Sequence, residues 1–229
     1  MSGKTWEERN TVTSKDQVSQ YVTFEGVRDG SPKIMFVGNS ITRHAPKPDI
    51  GWYGDWGMAA SAKENDYVHQ VIKGVRETKP DAEFCIVQAA VWERSYKNCD
   101  YEAYFKEATV FKPDIIICSI SGNIPKAEFE IDAFKVNIDK LFKYLSGGRA
   151  DVQIVLSSAF FGDPEKCKAI WEYTQEYGAK HVEISDIVKN KDNLAIGQFE
   201  HEGVQIHPGD KGMKELAKRY LEAIKEYLK

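Results

Sequence analysis

Serine, asparagine and histidine, in that chain order, stand at three places where this sequence changes character. Lys33-Ile34-Met35-Phe36-Val37-Gly38-Asn39-Ser40-Ile41-Thr42 is an apolar run that breaks abruptly at Gly-Asn-Ser. A serine placed where a buried strand gives way to a turn is presented at the edge of a sheet, within reach of a base and a substrate carbonyl, so Ser40 is a candidate nucleophile. Gly-Asn-Ser is also ordinary turn and helix-capping chemistry, and the motif alone does not decide between the two. A second apolar run, Asp114-Ile115-Ile116-Ile117-Cys118-Ser119-Ile120-Ser121-Gly122-Asn123, delivers the amide of Asn123 to the same kind of edge. Near the C-terminus, Gly203-Val204-Gln205-Ile206-His207-Pro208-Gly209-Asp210 sets His207 just before a helix. The three side chains supply a nucleophile, an oxyanion donor and a general base.

The elements that must position them are legible in the hydropathy pattern. Five short apolar runs, Ile34 to Val37, Phe84 to Val87, Ile115 to Ile120, Val152 to Leu156 and His181 to Ile184, read as strands covered on both faces. Between and after them, Ala60 to Thr78, Tyr101 to Phe111, Ala127 to Leu145, Pro164 to Tyr177 and Gly209 to Leu228 carry apolar residues at helical spacing. The alternation predicts an α/β fold, a three-layer α/β/α sandwich around a mostly parallel five-stranded sheet of flavodoxin-like type. Ser40, the alanines after the second strand and Asn123 then fall just past the carboxyl ends of strands one, two and three, where such folds bind ligands. We expect one domain over 33–229, preceded by a polar N-terminal arm over 1–32 that ends in the turn signal Arg28-Asp29-Gly30-Ser31-Pro32.

At these residues the sequence resembles the SGNH hydrolases, the GDSL-type esterases and lipases. The resemblance runs from about Lys33 to the C-terminal helix, carried by short blocks. Gly38-Asn39-Ser40-Ile41 matches the first block; Ser121-Gly122-Asn123-Ile124 matches part of the third, usually Gly-x-Asn-Asp; Val204-Gln205-Ile206-His207-Pro208 matches the fifth, usually Asp-x-x-His-Pro, except at the acid. The resemblance implies a serine esterase with Ser40 and His207 as catalytic residues and no cofactor. It implies an oxyanion hole built from the Ser40 N–H, the Asn123 amide and the N–H of Ala90, which stands where the family has a glycine. Val204 cannot orient His207 as the family's aspartate would. A backbone carbonyl could take that role, or Glu202 or Glu93 could substitute, or the pair could work as a bare dyad. Loss of catalysis, leaving a carbohydrate-binding module of the same fold, is the alternative. A flavin or nucleotide protein of the same architecture is a further rival, although Gly38 to Thr42 makes a poor phosphate cradle.

Trp52 and Trp56 follow the nucleophile and Trp92 follows the second strand, so the three indoles either wall an acyl or sugar site or seal the core under long loops. Polar, aromatic loops favour a short acyl group, acetyl above all, on a carbohydrate or other small polyol. His44, four residues after Ser40, could line the site, though an exposed or capping role is the expectation; His69 and His181 are expected to be structural, and His201 a weak rival base. With a formal charge of −4, the chain lacks the basic excess that nucleic-acid binding needs. It has no apolar stretch of membrane-spanning length, so no membrane partner is expected. Cys85, Cys99, Cys118 and Cys167 are widely spaced, without metal-ligand or disulfide-framework patterning, and Cys85 and Cys118 read as small apolar residues of buried strands. A reducing, cytoplasmic setting is the expectation, with a trimmed leader as the alternative.

Overall fold

Successive strand residues point to opposite faces of a sheet, so a strand that is apolar at every position needs helices on both sides. The computed structural model, which describes residues 17–229, builds a strand from each of the five expected runs, the last shortened to three residues at the sheet edge, where Lys180 is exposed. They are β2 (Lys33–Gly38), β3 (Glu83–Gln88), β4 (Ile115–Ser119), β5 (Gln153–Ser157) and β6 (Lys180–Val182), all mutually parallel where they pair. Ile34 and Phe36 of β2 pack into one apolar layer with Phe84, Ile86, Ile115 and Ile117. Their neighbours Met35 and Val37 pack into the other with Cys85, Val87, Ile116 and Cys118. Both cysteines are thus fully buried, and burial pushes their thiols well above the ordinary range.

The sheet has six strands rather than five. The additional one, β1 (Val22–Gly26), comes from the segment read as an arm and pairs antiparallel with β3 at the sheet edge, in the order β1-β3-β2-β4-β5-β6. Val22-Thr23-Phe24-Glu25-Gly26 has no continuous apolar run because an edge strand buries less: only Val22 is buried, Thr23 and Glu25 are half-buried, and Phe24 and Gly26 are exposed. Residues 1–16 of the expected arm lie outside the described residues.

Seven α-helical segments are described: α1 (Tyr67–Arg76), α2 (Ala90–Ser95), α3 (Tyr101–Phe105), α4 (Ile131–Leu145), α5 (Pro164–Tyr177), α6 (Glu202–Gln205) and α7 (Asp210–Ile224). Residues of α1 and α7 cover one face of the sheet, and residues of α2 to α5 the other. Caps decide the boundaries. α1 begins at Tyr67, later than its apolar pattern, because the buried Asp66 accepts the His69 N–H at 2.7 Å and fixes the first turn. α5 runs over the expected span from its Asp163 cap and Pro164 to Gly178, whose φ of 70° ends the helix. No helix among the described residues is long and apolar enough to cross a membrane.

From β2 the chain steps to β3 on one side and then returns past β2 to β4 on the other. The crevice at the carboxyl ends of β2 and β4 is therefore the topological switch point, where ligands of open α/β sheets bind.

Candidate active site

Ser40 lies two residues beyond β2. The chain turns there because the N–H groups of Thr42 and Arg43 both donate to the Asn39 carbonyl at 2.9 Å. Gly38 is needed for that turn: a Cβ on it would fall 1.8 Å from Thr42 Oγ1. The following loop is pinned on several sides. Arg43 holds Asp55 in a bidentate pair at 3.0 and 2.8 Å, Thr42 Oγ1 meets Tyr67 Oη at 2.7 Å, and Met58 N–H donates to the Ser40 carbonyl at 2.8 Å. The position of Ser40 is thus fixed by the packing of the fold.

His207 reaches Ser40 from the other end of the chain. Its Nε2 lies 2.8 Å from Ser40 Oγ, and its Nδ1 lies 2.7 Å from the Gly203 carbonyl oxygen. A carbonyl only accepts, so Nδ1 carries the ring hydrogen and the bare Nε2 accepts from the Ser40 hydroxyl. This carbonyl is available because His207 N–H bonds Val204 rather than Gly203, leaving the Gly203 oxygen among the unpaired acceptors at the end of a helical turn. The loop behind is clamped by Ala195 N–H to the His207 carbonyl at 3.0 Å and by Gly209 N–H to Asn193 at 3.0 Å. The residue as a whole is half-buried, and burial pushes the His207 pKa down to about 4, against the opposing pull of the Gly203 carbonyl and with a smaller push from nearby His44. The imidazole is neutral at pH 7.

Glu93 takes a different place from the one expected of an acid. It is fully buried and accepts from Asn39 Nδ2 at 3.0 Å, Ser121 N at 2.6 Å, Asn123 N at 3.3 Å and Asn123 Nδ2 at 2.7 Å. One carboxylate therefore ties the residue before Ser40 to the loop after β4. Glu202 is exposed on the first turn of α6. The partner of His207 Nδ1 is the Gly203 carbonyl, so the backbone alternative is the one this geometry realises. The Ala90 N–H donates to Gln88 Oε1 at 2.8 Å, which corrects its expected place among free oxyanion donors. Gln88 is itself held, its amide donating to the Arg43 carbonyl at 3.0 Å.

Of the two places expected for the tryptophans, wall of a substrate site or seal of the core, the structure puts Trp52 and Trp92 in the second. Trp92 is completely buried against Tyr96 and Phe134, so stacking a substrate on it would require unpacking the core. Trp52 is 2% exposed, donates to the His44 carbonyl at 3.1 Å and packs with Met58, Ala59, Ala195 and Val204. Trp56 is half-buried against Trp52, with its indole N–H on the Ala60 carbonyl at 3.0 Å. These indoles seal a small satellite core between the loop after Ser40 and the helix turn that carries Gly203. His44 is buried rather than exposed. His201 caps α6, its Nδ1 accepting the Gly203 N–H at 3.1 Å.

Phe161 escaped the sequence reading. Its ring stands edge-on to His207 with centroids 6.1 Å apart, and it also approaches Gly122. The signal was its place just past the end of β5, on the same sheet edge as Ser40 and Asn123.

No family model matches the chain, and no curated protein is similar to it. Solved structures are. The psychrotrophic esterase EstA from Pseudoalteromonas aligns with a TM-score of 0.58 at 12% identity, over 86% of this chain and 99% of that one. A Bacteroides uniformis protein described as a GDSL-like lipase aligns at 0.56 and 16% identity, over 87% and 98%. This chain has the fold of the GDSL-type, or SGNH, hydrolases. A family two carbohydrate esterase from Clostridium thermocellum, solved with cellohexaose, shares the SGNH fold at a TM-score of 0.57 and 13% identity; the alignment spans 87% of this chain and 65% of that longer one.

Proposed function

We propose that this protein is a serine esterase acting on short acyl esters, acetyl above all, of a carbohydrate or other small polyol. The observation that carries the reading is the 2.8 Å contact between Ser40 Oγ and a His207 Nε2 whose tautomer is fixed by the Gly203 carbonyl. Ser40 Oγ attacks the ester carbonyl while Nε2 takes its proton. The Ser40 N–H and the Asn123 amide hold the oxyanion; Ala90 is left out, since its N–H is already engaged by Gln88. The imidazolium then protonates the leaving alcohol, giving an acyl-serine. Water attacks that ester with His207 as base, and the acid and free Ser40 are released. No carboxylate is required to orient the ring, because a neutral carbonyl does so. The cost is an imidazolium stabilised by a dipole rather than by a full charge.

Support for a sugar alcohol comes from the cellohexaose-bound carbohydrate esterase of the same fold and from Tyr53, an aromatic residue that is 74% exposed on the loop after Ser40. Hydrolysis of p-nitrophenyl acetate, an acetylated xyloside and p-nitrophenyl palmitate by wild type, Ser40→Ala and His207→Ala tests the reading. We expect the acetyl esters to turn over fastest and both variants to lose about a thousandfold or more in kcat. A wild type that binds oligosaccharides but hydrolyses no ester would replace the esterase by a binding module.

A further inference from the structure

Ser121 occupies the position of the family's block-three glycine with φ of 100°, a conformation that is strained for a residue with a Cβ and persists only where its surroundings enforce it. Its own hydroxyl is buried without a hydrogen-bond partner among the described residues, so the side chain does not explain the strain. The backbone does. In this conformation the Ser121 N–H and the Asn123 N–H turn to the same carboxylate oxygen, Glu93 Oε1, at 2.6 and 3.3 Å. The other oxygen, Oε2, takes one hydrogen of the Asn123 amide at 2.7 Å. An amide nitrogen carries two hydrogens in one plane, so fixing one fixes the aim of the second.

The same Oε1 accepts from Asn39 Nδ2 at 3.0 Å, and Asn39 Oδ1 in turn accepts the Ile41 N–H at 3.3 Å across the Ser40 turn. All four of these contacts bring N–H groups to the carboxylate. A neutral amide of the same shape would set its own NH2 against one of them, so this shell selects an acceptor on both oxygens.

We propose that Glu93 is the positioning residue of the oxyanion hole: its carboxylate fixes the Asn123 amide relative to Ser40, and it acts on the reaction only through that amide. The inference rests on the esterase reading given above. Position 204, three residues before the histidine, carries valine rather than a carboxylate, and the buried acid beside Asn123 serves the oxyanion side.

The test is a double-mutant cycle on p-nitrophenyl acetate with Glu93→Gln, Asn123→Ala and the pair, each checked by circular dichroism. Glu93→Gln alone should lower kcat about 10- to 100-fold at a nearly unchanged KM. In the Asn123→Ala background it should cost less than about twofold more, because the group it positions is gone. If the two losses multiply, Glu93 acts independently of Asn123 and the inference falls. It falls also if Glu93→Gln is fully active. Should Glu93→Gln not fold, Asn39→Ala removes one arm of the same clamp and should show a several-fold loss that disappears in the Asn123→Ala background; a loss that multiplies there overturns the proposal. Turnover abolished in Ser40→Ala but indifferent to Glu93 rejects this inference alone, whereas a wild type without esterase activity rejects the enzyme reading and this inference with it.

Discussion

His207 and His69 show two opposite uses of the same side chain. His69, on α1, lies 2.8 Å from Asp66 Oδ1 and 3.1 Å from Glu25 Oε1. Burial pulls its pKa down, but the hydrogen bonds and charges of the two carboxylates prevail and raise it to about 9, while its hydrogen bond holds Glu25 down to about 2. It is a charged fixture that ties the edge strand β1 to the start of α1. His207, with a carbonyl where His69 has a carboxylate, is kept neutral by burial with a pKa of about 4. A neutral imidazole at the serine thus comes with a carbonyl partner, and a charged one with two carboxylates. Two ionised carboxylates keep an imidazole protonated at neutral pH, whereas a single dipole on Nδ1 sets the tautomer without doing so.

The comparison breaks first at position 204. If a carboxylate there could rescue a family-like triad, Val204→Asp would raise kcat. Val204 is fully buried among Trp52, Met58, Ala59 and Ala195, so we expect the substitution to bury an unpaired charge and destabilise the fold by about 3 kcal/mol or more, measured by urea unfolding, with no gain in kcat. Next in size is the acid limb of kcat/KM. A base is active when neutral, so activity should persist above a midpoint near pH 4 and fall below it. At pH 5 about nine-tenths of the activity should remain, where an ordinary histidine of pKa about 6.5 would keep about one-thirtieth. A midpoint near 6.5 would erase the contrast between the two histidines.

His69→Gln sharpens the other half. Because the folded pKa lies above the unfolded one, the stabilisation is fully present below about pH 6.5 and is lost as pH rises through about 9. The variant should thus be less stable than wild type by about 1–3 kcal/mol at pH 6, with the gap narrowing above pH 9 and kcat at pH 7 changed less than about twofold. Equal gaps at pH 6 and pH 10 would deny the charge on His69. The smallest effect belongs to Ser121→Gly, which relieves a positive φ and removes a hydroxyl buried without a partner among the described residues while keeping the N–H on Glu93. A gain of about 0.5–1 kcal/mol by thermal unfolding is expected, offset in part by the greater freedom of glycine in the unfolded chain.

Where sequence reading failed, it failed on groups whose role depends on what lies opposite them. β1 was missed because an edge strand buries only part of its residues and so carries no apolar run. Trp52 and Trp92 look available on loops, yet indoles bury large area, and the fold spends both on packing. Ala90 sits where expected, but its N–H is taken by a glutamine two residues earlier.

The sequence by itself determined the strand and helix alternation, the sheet edge on which Ser40 and Asn123 emerge, and the pairing of serine with histidine as the chemistry to look for. Those follow from side-chain periodicity and from residue type, both of which are written in the chain. Only the tertiary structure decided that the Gly203 carbonyl orients His207 and that Glu93 grips Asn39, Ser121 and Asn123. A backbone carbonyl is the same in every residue and leaves no mark in a sequence, and a buried carboxylate acquires its task only from the donors that folding brings around it.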